Sequence, residues 1–214
     1  MKEKLDYLRS IDSGVVSDAM NLLGIGGWTN SIFPTNKDFK IVGKAFTGSF
    51  ARVVSGEESG YSSYDVLDMC EPGDVLVLAG APEGRIFGGN LAFISKNRGL
   101  EGIVLDGRTR DVTEIEEMIP LFCRGPINYS TDAMYRMTQI KVSVNCDGTT
   151  INPGDIIVGD RDGVIVIPAS RLDDVIYQCK HVEEVEAKMN AALKRNAPGS
   201  ELKEIIKEKR VPRK

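Results

Sequence analysis

The sequence is short of the residues on which many metal and nucleophilic sites depend. It has one histidine, His181, so a histidine-rich metal site or a His-based triad is close to excluded. The four cysteines, Cys70, Cys123, Cys146 and Cys179, show no CxxC pair and no regular spacing. They fit a reducing compartment and ordinary burial better than a disulfide frame or a zinc site. No apolar run approaches the roughly 18 residues a membrane helix needs. The first residues, MKEKLDYLRSID, offer no apolar core for a signal peptide. A cytoplasmic protein without a membrane partner is expected. The net charge of −4 gives no reason to expect a nucleic-acid surface. The tail beyond Ala192 is locally basic, but Glu201, Glu204 and Glu208 interrupt it, so it reads as a solvated amphipathic helix.

What is present is ordinary globular material: 214 residues, 42% hydrophobic and 27% charged. No composition break marks an internal boundary, so residues 1–214 read as a single domain with a C-terminal helical extension from about 170 to 214. Residues 14–23 read as a short helix capped by Ser13 and stopped by Gly24, and 24–38 as a loop. Residues 40–54 read as one or two strands, and Tyr61–Met69 as a helix ending before Pro72-Gly73. Val75–Leu78 is the next strand, followed by a loop carrying Gly80, Gly84, Gly88 and Gly89. A helix over Asn90–Arg98, ended by Gly99, leads to a strand at Ile103–Leu105 and a helix at Asp111–Met118. Strand, helix, strand makes a βαβ unit, whose two strands must be parallel. Four more strands are expected at Leu121–Cys123, Lys141–Asn145, Asp155–Val158 and Val164–Ile167, then a long helix at Leu172–Leu193. The phrase Pro-Gly-Asp at residues 72–74 and 153–155 suits type II turns, and Asp160-Arg161-Asp162-Gly163 a hairpin.

Ligands of open α/β sheets collect at the carboxyl ends of parallel strands. Two segments should meet there. In GRIFGGNLAF the glycines bare the backbone N–H groups at the start of a helix, which suits a small carboxylate or phosphate. In LDGRTRDVTEI, Asp106, Arg108, Arg110 and Asp111 lie at the same sheet edge. A guanidinium can bind a carboxylate or enolate oxygen, and an aspartate can hold a hard cation such as Mg²⁺. Plainer readings stand beside this. Asp111 with Glu114 approximates a capping box. Arg108 and Arg110 suit surface ion pairs, glycines serve turns more often than ligands, and His181 suits a helix surface.

The stretch Gly88–Asp111, GGNLAFISKNRGLEGIVLDGRTRD, resembles the signature of the RraA-like family, a glycine loop and helix followed by GxxGxVxDGxxRD. Gly99, Gly102, Val104, Asp106, Gly107, Arg110 and Asp111 match it in register. VVSDAMNLLG, EPGDVLVLAG and NPGDIIVGDRDGVIVIP extend the likeness over most of residues 11–168. The resemblance implies an α/β fold, a swivelling-domain-like (phosphohistidine-domain-like) sandwich with a central mixed sheet and a long C-terminal helix. It implies a homotrimer or a dimer of trimers. The family includes 4-hydroxy-4-methyl-2-oxoglutarate aldolases, which also decarboxylate oxaloacetate, and non-catalytic regulators of a ribonuclease.

Carried over, the resemblance implies a lyase that uses Mg²⁺ or Mn²⁺ and releases pyruvate from a small 2-oxo acid. Arg110 and Asp111 would be catalytic, Gly88, Gly89, Asn90, Leu91 and Arg110 would bind substrate, and Asp111 would ligate the metal. Glu186, with Glu183 behind it, would supply a further carboxylate from a neighbouring subunit. In the aldolases an acid follows the first loop glycine; here that position is Gly89, which implies a weaker metal, partial substitution by Asn90 or Glu83, or a different substrate. The alternatives are a protein that binds and regulates a ribonuclease or other partner, and an enzyme for a phosphorylated acid whose extra anion meets Arg85 or Arg108.

Overall fold

The structure, a computed structural model, describes residues 1–53, 60–131 and 133–213. Val54, the last residue of the expected strand segment, and Lys214 of the basic tail lie outside the described residues. In chain order the helices are α1 (Lys2–Ser10), α2 (Ser13–Leu22), α3 (Ser63–Asp68), α4 (Gly89–Asn97), α5 (Val112–Glu116), α6 (Leu172–Lys194) and α7 (Gly199–Lys209). The strands begin with β1 (Phe33–Pro34), β2 (Ile41–Arg52), β3 (Asp74–Ala79), β4 (Arg85–Phe87), β5 (Gly102–Leu105) and β6 (Arg108–Thr109). They continue with β7 (Leu121–Cys123), β8 (Tyr135–Ile140), β9 (Val144–Cys146), β10 (Thr149–Ile151), β11 (Ile156–Asp160) and β12 (Gly163–Ile167). Contacts group the chain into two units, Gly27–Ala169 and the helical Met1–Gly26 with Ser170–Lys214. The expected extension at 170–214 thus shares its unit with the N-terminal helices.

The sheet unit is built on the order β1-β7-β5-β3-β2-β11-β12, with β8 also pairing β2. β2, β3, β5 and β7 run parallel in sequence of pairing, and β11 joins β2 antiparallel, so the sheet is mixed. The parallel β3–β5 pair crossed by α4 is the βαβ unit expected from the pattern. β3 shows why both faces are covered. Leu76 and Leu78 enter a cluster with Phe87, Ala92, Ile115 and Leu121, while Val75, Val77 and Ala79 point to the opposite cluster with Ile41, Phe122 and Val166. Strand side chains alternate, so a run apolar at every position buries both faces.

Both Pro-Gly-Asp phrases turn alike. Gly73 and Gly154 each have φ +87, the region open to glycine. The aspartate closes each turn: the Glu71 N–H donates to Asp74 Oδ2 at 2.9 Å and the Asn152 N–H to Asp155 Oδ2 at 2.8 Å. Burial pushes the Asp74 carboxyl above its ordinary value, against the opposing pull of that backbone hydrogen bond. β11 and β12 form the expected hairpin, with Asp160 opposite Gly163.

Several expectations need correction. Ser13 is the first residue of α2 rather than its cap, which is Asp12. The stretch expected as loop at 24–38 contains β1, held by only two pairings to β7. The expected strand at Lys141–Asn145 is one only at its end, where Val144 and Asn145 open β9; residues 141–143 are a break. Lys141 has φ +52, β8 precedes it, and β9 and β10 follow as a hairpin around Asp147 (φ +52) and Gly148 (φ +88). Two successive positive φ values are what a tight Asp-Gly hairpin turn requires. The helix expected at Asp111–Met118 is shorter, and β6 precedes it.

In the helical unit, α6 and α7 bury Val185, Ala192 and Ile205 together, so the tail is packed along one face rather than wholly solvated. Among the described residues no helix is long and apolar enough to cross a membrane. The four cysteines are free. Burial pushes Cys70 and Cys179 up to about 12 and raises Cys123 and Cys146 as well, so these thiols stay protonated at neutral pH and are not nucleophiles.

Candidate functional site

The two segments expected to meet do so. Beyond the ends of β3 and β5 the chain forms the short parallel pair β4–β6, and the Arg108 N–H donates to the Gly84 carbonyl at 2.8 Å. The Thr109 hydroxyl, fully buried, donates to the Phe87 carbonyl at 3.2 Å. These ties fix the glycine loop against the arginine loop. Arg110, Asp111 and Gly88–Leu91 then line one cavity of 530 Å³.

Asp111 sits at the N-cap of α5 but does not cap it with its side chain. Its backbone is left-handed, φ 63 and ψ 33, a conformation that costs a non-glycine residue about 1 kcal/mol. The turn carries the carboxylate away from its own helix and across to the neighbouring loop, where the Gly89 N–H donates to Oδ2 at 3.2 Å. Arg110 Nε lies 3.5 Å from the same oxygen, a loose approach between side chains that are 49% and 39% exposed. The Glu114 side chain has no hydrogen-bond or ion-pair partner among the described residues, so no reciprocal capping box closes either. The plain capping reading therefore fails for both carboxylates.

The backbone amides expected to be bare are partly engaged. The Gly89 N–H serves Asp111, and the Leu91 N–H donates to the Gly88 carbonyl at 3.1 Å. The anion nearest the positive end of α4 is thus the protein's own carboxylate, which is where the helix dipole favours one. Asn90 stays exposed at the cavity wall.

The other motif residues part company with this cavity. Asp106 is buried and pairs with Arg124 at 2.6 Å, and Arg124 reaches Asp147 at 2.6 Å. Burial works against the charge of Arg124, but the two carboxylates outweigh it and hold its pKa above the ordinary value. Arg108 pairs with Glu83 at 3.1 Å and donates to the Arg124 carbonyl at 3.5 Å. Glu83 is therefore spoken for and does not replace an acid at position 89. Arg85 lines the cavity, with a guanidinium N–H donating to Ser130 at 3.0 Å. Glu186 lies in the helical unit, where Lys209 bridges it at 2.7 Å and Asp18 at 2.5 Å. Glu183 accepts from the Tyr7 hydroxyl at 2.5 Å. His181 Nε2 lies 3.0 Å from the Val211 carbonyl, a helix-packing role.

Sequence reasoning missed two features. Glu114 lines the cavity, although its spacing from Asp111 pointed to a cap. An aromatic wall, with Phe50, Tyr61, Tyr64 and Tyr135, faces the same space. Only the Ser62 cap of α3, which accepts from the Tyr64 N–H at 3.2 Å, left a trace in the sequence.

Glycine, arginine and aspartate from two chain segments thus line one cavity. The family model described as Aldolase/RraA matches residues 14–166. The chain belongs to the RraA-like family. It is 33% identical over 186 residues to a Halalkalibacterium halodurans protein named, provisionally, as a 4-hydroxy-4-methyl-2-oxoglutarate aldolase, covering 83% of each chain. It superposes on an uncharacterized protein from Pseudomonas syringae pv. tomato with TM-score 0.83 and 26% identity, covering 96% of this chain and 97% of that one. A Streptomyces coelicolor structure, described as an unusual member of the RNase ES inhibitor RraA family, gives TM-score 0.78 at 27% identity and covers 88% and 96% of the two chains.

A divalent cation is implied by the aldolase branch, and the residues can be tested for it. Among the described residues no group of three or more His, Cys, Asp or Glu side chains is placed to hold a metal. Mg²⁺ does not need one, because it keeps several waters and takes one or two carboxylates. Asp111, half-exposed and free of any cap, is a hard oxygen donor at the cavity wall, and Glu114 is a second carboxylate there. The donor set fits a hydrated Mg²⁺ or Mn²⁺ and not a soft or histidine-bound metal.

Proposed function

We propose that the protein is a lyase of the class II, metal-dependent pyruvate aldolase type. It would release pyruvate from a 4-hydroxy-2-oxo acid of the 4-hydroxy-4-methyl-2-oxoglutarate kind, or from oxaloacetate. One observation carries the reading: Arg110 and Asp111 face the Gly88–Leu91 loop within a single cavity, with Asp111 turned out of its own helix. The aldolase-named relative supports the same class.

In this reading Asp111 would hold a Mg²⁺ or Mn²⁺ ion, which would supply Lewis-acid polarisation of the substrate's 2-oxo oxygen. Arg110 binds the oxo and carboxylate oxygens through its fork of donors. Cleavage sends the C3–C4 electron pair toward the 2-oxo oxygen while the 4-hydroxyl proton passes to water. Arg110 meets the charge growing on that oxygen, and reprotonation at C3 gives pyruvate. With oxaloacetate the same pair is left when CO₂ departs. A preorganised donor of this kind is worth roughly 10²–10³ in rate. Glu186 would act as a ligand only in an assembly of subunits that draws it away from Lys209, and the homotrimer or dimer of trimers belongs to this proposal. So do the swivelling-domain-like arrangement and a cytoplasmic setting.

The test is a coupled pyruvate-release assay with Mg²⁺ or Mn²⁺. Wild type should turn over oxaloacetate or a 4-hydroxy-2-oxo acid, and Asp111→Ala should lose at least about 100-fold. Equal rates for the two would remove Asp111 from the mechanism. The likeness to the RNase ES inhibitor family supports a second reading, a non-catalytic partner of a ribonuclease. Capture of an endoribonuclease, with no turnover of any 2-oxo acid, would decide for it.

A further inference from the structure

The cavity that holds Arg110 and Asp111 also has an apolar floor. Phe50 and Tyr135 line it while packing against the core cluster behind them, and the buried Ile86, Phe87 and Met137 line it as well. Space fixes Tyr135. Gly84 has no positive φ, yet a Cβ there would lie 2.9 Å from Tyr135 Cδ2 and 2.9 Å from the Ala81 Cβ. A side chain at position 84 would push the ring out of its place. Phe50 follows the register shift between Ser49 and Phe50 in the β2–β8 pairing, the kind of irregularity that re-aims a side chain. Tyr61 is tied to the same strand, its N–H donating to the Met137 carbonyl at 2.8 Å. Backbone and core therefore set these rings before anything binds.

A small dianion leaves such a floor unused. At 530 Å³ the cavity falls within the roughly 300–1,000 Å³ of sites for drug-sized ligands, where aromatic walls hold the body and a few polar groups fix the head. A second carboxylate set against the rings is costly unless a cation meets it. The other arginines of the cavity already donate elsewhere, Arg85 to Ser130 at 3.0 Å and Arg136 to the Tyr135 carbonyl at 3.2 Å.

We infer that the cavity selects a 4-hydroxy-2-oxo acid carrying an aromatic ring at C4, and that Phe50, Tyr61 and Tyr135 determine that specificity. The inference rests on the lyase reading for its chemistry. The 2-oxo acid head lies at Arg110 and Asp111, and the ring meets the aromatic wall offset or edge to face. Cleavage breaks the C3–C4 bond and passes its electron pair into the pyruvate enolate. The 4-hydroxyl proton leaves to water and C3 takes a proton back. The products are pyruvate and an aromatic aldehyde, and no oxidant or reductant is required. The three rings touch the departing half of the substrate, not the reacting atoms.

The experiment is a calorimetric titration, with Mg²⁺ present, of two acids that share the head but lack the 4-hydroxyl: 2-oxo-4-phenylbutanoate and 2-oxoglutarate. The phenyl acid should bind at least about 10-fold tighter, since even one methylene in an apolar pocket is worth about that much. Tyr135→Ala should cut this preference by about 10-fold, whereas Tyr135→Phe should keep it. Thermal midpoints are measured beside them, and Tyr61→Ala, at a residue 45% exposed, gives the same reading should Tyr135→Ala not fold. A smaller preference in wild type, or one left intact by the alanine variants, overturns the inference. The two proposals fail separately. The expected preference, without pyruvate release from 4-hydroxy-2-oxo-4-phenylbutanoate or oxaloacetate, keeps the aromatic wall as a selector and removes the lyase. Pyruvate release together with tighter binding of 2-oxoglutarate keeps the lyase and hands the far end of the substrate to Arg85 or Arg136. Binding of neither acid, with no pyruvate release, removes both.

Discussion

The stretch after β5 carries two aspartates with opposite fates. Asp106 is drawn inward. Its side chain is 9% exposed and 2.6 Å from Arg124, which also clamps Asp147, 8% exposed, at the tip of the β9–β10 hairpin. Asp147 in turn accepts from the backbone N–H groups of Asn30 and Ser31, both at 2.5 Å, so one arginine fastens three segments of the sheet unit. Asp111 is 39% exposed, 3.5 Å from a loosely placed Arg110, and held in a left-handed conformation. The first pair has spent its charge on the fold. The second leaves its carboxylate partly exposed at the cavity wall in a left-handed backbone conformation, the combination on which the proposed role of Asp111 rests. One short motif therefore holds a buried fastener and an exposed, strained aspartate at the cavity wall, and spacing alone does not tell them apart.

The largest effect expected from this contrast is on the fastener. Arg124→Ala leaves Asp106 and Asp147 buried without their counter-charge, and breaking a buried pair from one side costs about 3–5 kcal/mol. Urea unfolding should show that loss. A loss under about 1 kcal/mol would mean that solvent reaches the two aspartates and that the contrast is false. The exposed aspartate should respond the other way. Asp111→Gly relieves the left-handed strain and should stabilise the fold by up to about 1 kcal/mol, while pyruvate release disappears. A stability gain without loss of turnover would leave Asp111 as a strained turn and nothing more.

Much of the scaffold was legible because it rests on local chemistry. The apolar run of β3, the Pro-Gly-Asp turns and the glycine after α4 each encode their structure in adjacent residues, and parallel pairing of β3 with β5 follows from the helix between them. The meeting of Gly88–Leu91 with Arg110–Asp111 was legible for the same reason. What was not legible depends on distant partners. Arg124 and Asp147 claim Asp106 from across the fold, and Glu83 claims Arg108. The β9–β10 hairpin announces itself only by Asp147-Gly148, which an expected strand at 141–145 obscured. Glu114 was hidden because a glutamate three residues after an aspartate fits a cap. Only coordinates show that Asp111 turns left-handed and that Glu114 lies over Gly89.

The smallest effect is expected from Arg108, the first of the two arginines between the aspartates. Arg108 points to neither the Arg124 clamp's carboxylates nor the cavity. It pairs with Glu83, whose side chain is 70% exposed, and touches a backbone carbonyl. Exposed pairs of this kind contribute about 0–1 kcal/mol. Arg108→Ala should therefore shift stability by less than about 1 kcal/mol and leave both pyruvate release and its inhibition by inorganic phosphate unchanged. Arg85, which lines the cavity, gives the control: if phosphate competes, Arg85→Ala and not Arg108→Ala should weaken that competition. Relief of phosphate inhibition by Arg108→Ala alone would place a second anion on the arginine loop, and the division of that loop into a fastening half and a reacting half would have to be redrawn.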